Sequence, residues 1–283
     1  MTSSRDFVRE KPTWCPGCGD FGVLKAIQDA AADSGLSPED MVMVSGIGCS
    51  GKITSYFRSY GFHSMHGRTL PVATGIRLAN PALKVIAVGG DGDGYGIGLN
   101  HLIHAIRRNV DLTYIVMHNH VYGNTKGQTA PTSDVGYVSG STPMGAIEEP
   151  VRPLSLALAS GATFVAQGMA GNIRQLTRLI REGLAHEGFA FINVFSPCVT
   201  YDKKHTYAWY KERLVDLDEC EGYDCTDPAA AFAKVTQHGE LVTGLIHRRA
   251  RPPFERELPK HRFQERDGKR MALKDVMFEI FSE

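Results

Sequence analysis

Two apolar runs of this chain end in polar residues that suit a cation and a phosphate, and this pairing constrains the fold most. Residues 85–88 lead into the run Gly-Gly-Asp-Gly-Asp-Gly at 89–94, and the run 112–117 ends just before Asn119. Short apolar runs bounded by turn residues predict buried strands, and open α/β sheets bind ligands beyond the carboxyl ends of their strands. Glycines let backbone approach a phosphate closely, and an aspartate can hold a hard divalent cation. A glycine- and aspartate-rich surface turn is the simpler alternative.

The spacing of Asp91 and Asn119 narrows the choice between a ligand site and a surface turn. The 27 residues 92–118 separate Asp91 from Asn119, and this Gly-Asp-Gly and Asn pattern resembles the signature of thiamine diphosphate-binding proteins. The resemblance implies that Asp91 and the Asn119 side chain hold Mg²⁺, with the backbone carbonyl of Val121 as a third protein ligand. The diphosphate would then supply further oxygen ligands.

Composition limits the possible domain size, binding partners and compartment of the protein. With 283 residues, 42% of them apolar, the chain suffices for one large α/β domain or for one domain with an extension. Its 31 basic and 31 acidic residues cancel, which gives no electrostatic case for binding nucleic acid or an anionic membrane. We see neither a secretory signal nor an apolar run long enough to span a membrane, so a cytoplasmic protein is expected. Six cysteines in that compartment do not indicate a disulfide framework.

Helical and strand patterns alternate along most of the chain, which predicts βαβ units and a mostly parallel sheet flanked by helices. In the first helix, Asp20 is the expected N-cap and Gly35 the expected stop. Residues 119–150 are rich in loop-forming residues, and such a long loop is typically functional or mobile. Helices are predicted over 21–32, part of 52–59, 71–78, 98–107, 153–159 and 171–186, and strands over 41–44, 84–88, 112–117, 162–166 and 189–195.

The character of the sequence changes beyond about residue 215. Residues 216–227 are acidic and polar, residues 248–263 are charged and contain prolines, and no strand-rich continuation is visible. We therefore predict an α/β domain over 1–215 and a C-terminal extension over 216–283. The extension is expected to pack on the domain or on a partner subunit, and a flexible surface tail is the alternative.

Four cysteines stand in glycine-rich turns or just past a predicted strand. Cys15 and Cys18 form a C-x-x-C motif that by itself suits zinc, a redox dithiol or an iron–sulfur cluster. No strand pattern precedes it, which argues against the redox dithiol. Cys49 and Cys198 each follow a predicted strand, at the same sheet edge as the cation ligands.

Four converging thiolates fit either a structural Zn²⁺ or a 4Fe–4S cluster, and spacing does not decide between them. An electron acceptor beside a thiamine cofactor has an immediate use, whereas a zinc ion there has none, which favours the cluster. Cys220 and Cys225 lie in the acidic segment and are expected to be ordinary free cysteines.

Taken together, the motifs of this chain resemble the β subunit of 2-oxoacid:ferredoxin oxidoreductases. The loop 122–133 is most similar to the 2-oxoglutarate-type members. One departure is that His118 and His120 flank Asn119, where many thiamine enzymes have paired asparagines. The matching segments are residues 14–19, 46–51, 66–68, 71–75, 89–93, 119–133 and 197–198.

The resemblance implies a thiamine diphosphate-binding fold and a set of site residues. Lys52 and His66 are candidate catalytic residues near the substrate or cofactor, with a surface lysine and a structural histidine as the alternatives. A 4Fe–4S cluster is implied on Cys15, Cys18, Cys49 and Cys198. Cofactor contacts are implied for Ile47, Gly48, Cys49, Ser50, Thr74, Gly92, Asp93, Gly123 and Asn124.

The implied activity is the CoA-dependent oxidative decarboxylation of 2-oxoglutarate to succinyl-CoA and carbon dioxide, or its reverse, with electrons passing through the cluster to ferredoxin. Nothing in the sequence marks the glutamate that activates thiamine, since no apolar element frames Glu148 and Glu149. The resemblance assigns that glutamate and the pyrimidine-binding domain to an α subunit, or to a fused γ–α subunit. A heterodimer or a dimer of heterodimers is expected, inactive without the partner.

Three alternatives remain from the sequence. The enzyme could act on pyruvate or on 2-oxoacids broadly. It could be a non-redox thiamine diphosphate decarboxylase or carboligase with a structural zinc. It could also be a non-catalytic electron-transfer subunit, although such a module would not need Asp91 and Asn119.

Overall fold

The computed structural model describes residues 2–257, and within them one sheet of eight strands carries helices on both faces. The strands are β1 (Met41–Ser45), β2 (Tyr60–His63), β3 (Lys84–Gly90), β4 (Leu112–His118), β5 (Val121–Tyr122), β6 (Gln128–Thr129), β7 (Phe164–Met169), β8 (Phe189–Phe195), β9 (Val215–Asp216) and β10 (Val242–Arg248). The helices are α1 (Asp20–Asp33), α2 (Ile53–Tyr56), α3 (Thr69–Ala79), α4 (Leu99–Arg108), α5 (Pro153–Ala159), α6 (Ile173–Ala185), α7 (Tyr207–Arg213), α8 (Pro228–Gln237) and α9 (Phe254–Glu257).

The strand order is β2-β1-β3-β4-β8-β7-β10-β9, and β5 pairs with β6 in a separate hairpin. Every neighbouring pair of the large sheet is parallel except β7 and β10. The predicted fold class, a mostly parallel sheet between helices, is therefore confirmed. The strand order reverses between β1 and β3, and such a switch point opens a crevice at the carboxyl ends of the strands.

Alternate side chains of each strand pack into two separate cores, because successive residues of a strand point to opposite faces of the sheet. On β4, Ile115 and Met117 pack in the core that contains α1 and α6. Tyr114 and Val116 of the same strand pack in the core on the other face, together with residues of α3, α4, α5 and α8. Both faces are covered, so the central strands read as continuous apolar runs.

Helix α1 ends as the sequence predicts but begins differently. Its chain reverses at Gly35, which has a φ of 69° and so occupies the left-handed region that favours glycine. The expectation that Asp20 caps the helix is wrong: Gly19 is the N-cap and Asp20 is the first helical residue. The Asp20 carboxylate instead accepts a hydrogen bond from Ser196 Oγ at 2.6 Å.

The C-terminal region adds two strands, β9 and β10, and two helices, α8 and α9, that the sequence did not indicate. Strand β10 pairs with β7, and Leu217, Val235 and Ile246 are buried in the same core as Tyr114 and Val116 of β4. The apolar run of β10 is interrupted by Thr243, Gly244 and His247, which hides its strand pattern. The boundary at residue 215 stays a prediction, and residues 258–283 of the expected extension lie outside the described residues.

Between residues 2 and 257, no helix is both long enough and apolar enough to cross a membrane.

Glu240 joins the C-terminal region to the start of helix α5. Its buried carboxylate accepts hydrogen bonds from the backbone N–H groups of Leu154 (3.0 Å) and Ser155 (2.9 Å), at the start of α5. Burial raises the pKa of this carboxyl group, and the two N–H donors oppose that rise. A buried carboxylate at a helix N-terminus satisfies donors that the helix itself leaves free.

We expect Glu240→Gln to lower the free energy of unfolding by about 1–3 kcal/mol, because the amide places a donor against one of the two buried N–H groups. The matched control is Glu212→Gln, which changes an exposed glutamate on α7 and should shift stability by less than about 0.5 kcal/mol. Equilibrium urea unfolding followed by circular dichroism measures both. Equal stability of the two variants would contradict this role for Glu240.

Candidate active site

Four neighbouring strands, β1, β3, β4 and β8, send the loops that follow them to one edge of the sheet. Most of these loops line a cavity of about 320 Å³. Because the strands are parallel and adjacent, residues that are far apart in sequence meet there. The predicted site residues that line it are Ile47, Gly48, Cys49, Ser50, His66, Asp91, Gly92, Asp93, Asn119, Val121, Gly123 and Asn124.

Five predicted residues do not line this cavity. Thr74 lies on α3, and Lys52 is exposed just after the loop that follows β1. Three of the four cysteines, Cys15, Cys18 and Cys198, also lie outside the cavity lining, and only Cys49 belongs to it. The cavity and the cysteines therefore meet at Cys49.

Asp91 is buried at the base of the cavity, directly after β3. Its Oδ2 accepts hydrogen bonds from the backbone N–H of His120 (2.7 Å) and from Thr132 Oγ1 (2.5 Å). Burial raises the pKa of the Asp91 carboxyl to about 6, while the hydrogen bond from Thr132 and nearby backbone donors lower it. A carboxylate held in this way offers a hard, oriented oxygen ligand to a divalent cation.

The polar residues after β4 lie in a tight turn beside Asp91. Asn119 Oδ1 accepts a hydrogen bond from the backbone N–H of Val121 at 3.1 Å. Between them, His120 has a φ of 64°, in the left-handed region. An amide oxygen has two lone pairs, so Asn119 Oδ1 can accept this N–H and still bind a cation.

The His120 side chain anchors this turn. Its Nδ1 lies 2.8 Å from the carbonyl oxygen of Thr132, and its Nε2 lies 2.8 Å from Tyr210 Oη. A carbonyl only accepts, so Nδ1 carries the proton and Nε2 accepts from the tyrosine hydroxyl. Burial lowers the pKa of His120 to about 4, so the ring is neutral and holds this arrangement near neutral pH.

Asp93 holds the surrounding loops in place. Its Oδ1 accepts hydrogen bonds from the backbone N–H groups of Ile47 (3.0 Å) and Gly67 (2.7 Å). A Cβ atom on Gly46 would stand 2.0 Å from Asp93 Oδ2, so only glycine allows this approach. His66 Nδ1 lies 3.1 Å from Asp93 Oδ1 without hydrogen-bond geometry.

The hairpin of β5 and β6 forms one wall of the cavity. Tyr122 Oη donates to the carbonyl of Gly92 at 2.9 Å, and a Cβ atom on Gly92 would lie 2.3 Å from the tyrosine ring. On the other side of the hairpin, a Cβ atom on Gly123 would stand 3.7 Å from Cys49 Sγ and 3.6 Å from Cys198 Sγ. The hairpin thus contacts the loop after β3 and two of the cysteines.

All six cysteines are free. Cys15 and Cys18 share one turn, in which the Cys18 N–H donates to the Cys15 carbonyl at 3.0 Å, and the sulfurs of Cys49 and Cys198 both lie beside Gly123. Burial raises the pKa of Cys49 to about 11, with further contributions from Asp20 and Cys198. Burial also raises the pKa of Cys18 well above its usual range, again with a contribution from Asp20. Thiolates bind metals, so metal binding here would displace protons.

Several residues of this site were not predicted from the sequence. Asp20 lines the cavity, and Thr132 and His120 hold Asp91. Asp20 immediately follows the C-x-x-C-Gly segment, and Thr132 lies in the quoted loop 122–133, so both stood within or beside segments that the sequence had marked. Their partners are distant in sequence, and no spacing rule could have assigned these contacts.

Comparison with known proteins agrees with this geometry. The sequence model of the family described as "Thiamine pyrophosphate enzyme, C-terminal TPP binding domain" matches residues 46–194. A second model, for the C-terminal part of the pyruvate ferredoxin oxidoreductase beta subunit, matches residues 198–262. The first of these ranges contains Asp91 and Asn119, and the second begins at Cys198.

The chain is 50% identical over 213 residues to the 2-oxoacid:ferredoxin oxidoreductase subunit beta of Saccharolobus solfataricus, covering 75% of this chain and 70% of that protein. It is 36% identical over 255 residues to the 2-oxoglutarate synthase subunit KorB of Methanocaldococcus jannaschii, covering 87% and 91%. Among solved structures, a 2-oxoglutarate:ferredoxin oxidoreductase from Magnetococcus marinus, with 2-oxoglutarate, coenzyme A and succinyl-CoA bound, superposes with a TM-score of 0.89. That match has 40% identity and covers 92% of this chain and 89% of the other.

The protonation of Asp91 predicts how cofactor binding depends on pH. A cation at this site would bind the ionised carboxylate, whose pKa burial raises to about 6, so the affinity for thiamine diphosphate with a divalent cation should be full well above that pH. It should fall by about tenfold for each pH unit below it. Thr132→Val removes a hydrogen bond that lowers this pKa, so the loss of affinity should begin at higher pH.

Isothermal titration between about pH 5 and 8 measures the dissociation constants that test this prediction. Thr226→Val, an exposed threonine outside the cavity, is the matched control and should follow the wild-type curve. A Thr132→Val curve that overlies the wild type would show that this hydroxyl does not set the pKa of Asp91.

Proposed function

The chain belongs to the family of 2-oxoacid:ferredoxin oxidoreductase beta subunits, and we propose that it serves an enzyme acting on 2-oxoglutarate. The reaction is the CoA-dependent oxidative decarboxylation to succinyl-CoA and carbon dioxide, or its reverse, with ferredoxin as the electron carrier. The observation that carries the proposal is the convergence of two sites at one sheet edge. The Asp91 and Asn119 loops meet there, and Cys49 joins them to the cysteines.

The donor set of the cavity fits thiamine diphosphate with Mg²⁺. Asp91, Asn119 Oδ1 and the Val121 carbonyl would hold the cation, since Mg²⁺ takes oxygen ligands and retains phosphate oxygens beside them. The raised pKa of the buried Asp91 carboxyl fits this role, because a cation would replace the solvation that burial removes. The loop 47–50 and residues Gly92, Gly123 and Asn124 line the same cavity and would contact the cofactor.

Two of the residues implied by the resemblance receive different roles in this proposal. Asp93 Oδ1 accepts two backbone N–H donors and Oδ2 accepts the Thr69 hydroxyl at 3.3 Å, so its proposed role is to shape the cofactor loop while its neighbours make most ligand contacts. Thr74 does not line the cavity, so any contact it makes would be indirect.

We propose a 4Fe–4S cluster on Cys15, Cys18, Cys49 and Cys198. Tetrahedral Zn–S bonds of about 2.3 Å would bring the sulfurs of a zinc site within about 4 Å of one another. Among the residues that the structure describes, no three His, Cys, Asp or Glu side chains converge closely enough for one metal ion. The position of the cysteines beside the thiamine cavity favours the cluster, because an electron acceptor has a use there and a zinc ion has none.

In this proposal the residues of this chain bind, orient and enclose the thiamine cofactor. When bound, thiamine diphosphate supplies an electron sink for decarboxylation, and the cluster accepts electrons singly. The Asp91 and Asn119 loops would fix the diphosphate end, and the hairpin wall is held to the loop after β3 by the hydrogen bond from Tyr122 to Gly92. Cys49 belongs both to the cavity and to the cysteine group, so electrons have a short exit path.

We propose that an α subunit, separate or fused to a γ subunit, completes the active site. Within residues 2–257 no glutamate lines the cavity, and Glu148 and Glu149 are exposed away from it. Exposed apolar side chains such as Ile47 and Ile97 stand in the loops around the cavity, where a partner would cover them. A heterodimer or a dimer of heterodimers follows, and a cytoplasmic location stays a prediction from the sequence.

Two candidate residues remain for the substrate. His66 lines the cavity, whereas Lys52 is exposed beside it and lies close enough to lower the pKa of Asp20. A cation here suits a substrate with a second carboxylate, which pyruvate lacks. Relatives named as 2-oxoglutarate enzymes support this choice, and others named only for 2-oxoacids keep a broader specificity as the second candidate.

The test is a steady-state assay with pyruvate, 2-oxobutyrate and 2-oxoglutarate, each with CoA and ferredoxin. We expect the chain purified with its partner to have the highest kcat/KM for 2-oxoglutarate, by about tenfold or more. Lys52→Met should lower that preference while changing pyruvate turnover little, and Lys25→Met, on the outer side of α1, is the control. Full turnover by the chain without a partner would refute the heteromer. Equal kcat/KM for all three acids would favour the broad-specificity alternative.

A further inference from the structure

We propose that Asp20 is a positioning residue of the cysteine site, which lowers the reduction potential of the cluster bound there. This inference rests on the proposed function, because it concerns the cluster on Cys15, Cys18, Cys49 and Cys198. Neither the cavity chemistry nor the cysteine ligation above employs Asp20.

Asp20 is 1% exposed, and its two carboxylate oxygens have different surroundings. Oδ1 accepts a hydrogen bond from Ser196 Oγ at 2.6 Å, and Ser196 is itself completely buried. Oδ2 is buried without any hydrogen-bond partner. A buried carboxylate oxygen without a donor is costly, so the fold retains at this position a negative charge that its own hydrogen bonds only partly offset.

The Asp20–Ser196 pair lies between the two segments that carry Cys18 and Cys198. Gly19 N donates to the carbonyl of Pro197 at 3.2 Å, and a Cβ atom on Gly19 would stand 2.5 Å from Ser196 Oγ. The start of α1 and the loop after β8 are therefore in close contact. Cys18 and Cys198 each lie two residues from the Asp20–Ser196 hydrogen bond, so this bond fixes the two loops that carry them.

Asp20 also lies at the cavity, on the side of the cysteine site that carries Cys49. It lines the cavity together with Cys49 and Asp91. Cys18 lies two residues before Asp20 in the chain and Cys49 lines the same cavity as Asp20, so predicted cluster ligands lie on both sides of the carboxylate. The nearby opposing charge is that of Lys52, whose side chain is exposed. Water and salt screen an exposed charge more than a buried one.

The effect on the cluster follows from charge alone. Reduction adds one electron to the oxidised cluster, with no bond broken and no proton transferred. A fixed negative charge beside the cluster makes that electron harder to add, and so lowers the reduction potential. With an effective dielectric constant of about 20, a charge a few ångströms away changes such an equilibrium by about tenfold or more. A low potential would suit onward transfer to ferredoxin.

The test compares midpoint potentials of the chain purified anaerobically with its partner, by potentiometric titration with electron paramagnetic resonance at about pH 8, where a carboxylate is ionised. Asp20→Asn should increase the reduced-to-oxidised ratio at a fixed potential by about tenfold, which is a rise of about 59 mV for one electron. Asp20→Ser is the second neutral variant and should show the same direction. Ser196→Ala removes the hydrogen bond but keeps the charge, so its potential should stay or fall.

Iron and sulfide are quantified first in every sample. Wild-type complex without stoichiometric iron and sulfide would reject the proposed function, and the inference with it. A loaded wild type with an unshifted Asp20→Asn potential, or an equal rise in Ser196→Ala, would overturn the inference alone. Loss of the cluster from both neutral variants, with retention at wild-type potential in Asp20→Glu, would also overturn it, because the carboxylate would then serve assembly only.

Discussion

The parallel pairing of β1, β3, β4 and β8 is the constraint on which the rest of this structure depends. Four adjacent parallel strands end at one edge, so their following loops must meet there. These loops carry Asp91, Asn119, Cys49 and Cys198, which are scattered over more than half of the sequence. No local motif could assemble such a site. The βαβ connections bring the residues together, and the covered faces of the sheet keep the strand ends rigid.

Buried carboxylates organise the loops once the strands have delivered them. Asp93 binds backbone donors from two segments, and Asp91 is held by Thr132 and by the turn after β4. Asp20 ties the start of α1 to the loop before Cys198. Each carboxylate accepts donors from a distant part of the chain, so the site is preorganised by the protein. This explains why glycines such as Gly46 stand where a side chain would displace a carboxylate.

The sequence predicted the central strands, most helices and the Asp91–Asn119 pairing, because these depend on apolar periodicity and on strand ends. It missed β2 and β10 for a physical reason. Strand β2 is exposed at the sheet edge, and β10 is interrupted by polar residues and glycine, so neither shows a buried-strand pattern. The role of Asp20 was assigned wrongly, because an aspartate beside a predicted helix start also satisfies the rule for a cap. Only the distant Ser196 distinguishes the two roles.

The central claim is that the cofactor bound in this cavity transfers electrons to a cluster beside it. Rapid anaerobic mixing tests this claim most directly. The oxidised wild-type heteromer is mixed with 2-oxoglutarate and CoA, and the visible absorption of the cluster is followed. We predict that this absorption bleaches within the first turnover. It should stay unchanged in Asp91→Ala, which would retain its iron but lose thiamine diphosphate. Asp33→Ala, an acid at the solvent-facing end of α1, should behave like the wild type. A colourless wild-type protein, or bleaching that survives Asp91→Ala, would contradict the account.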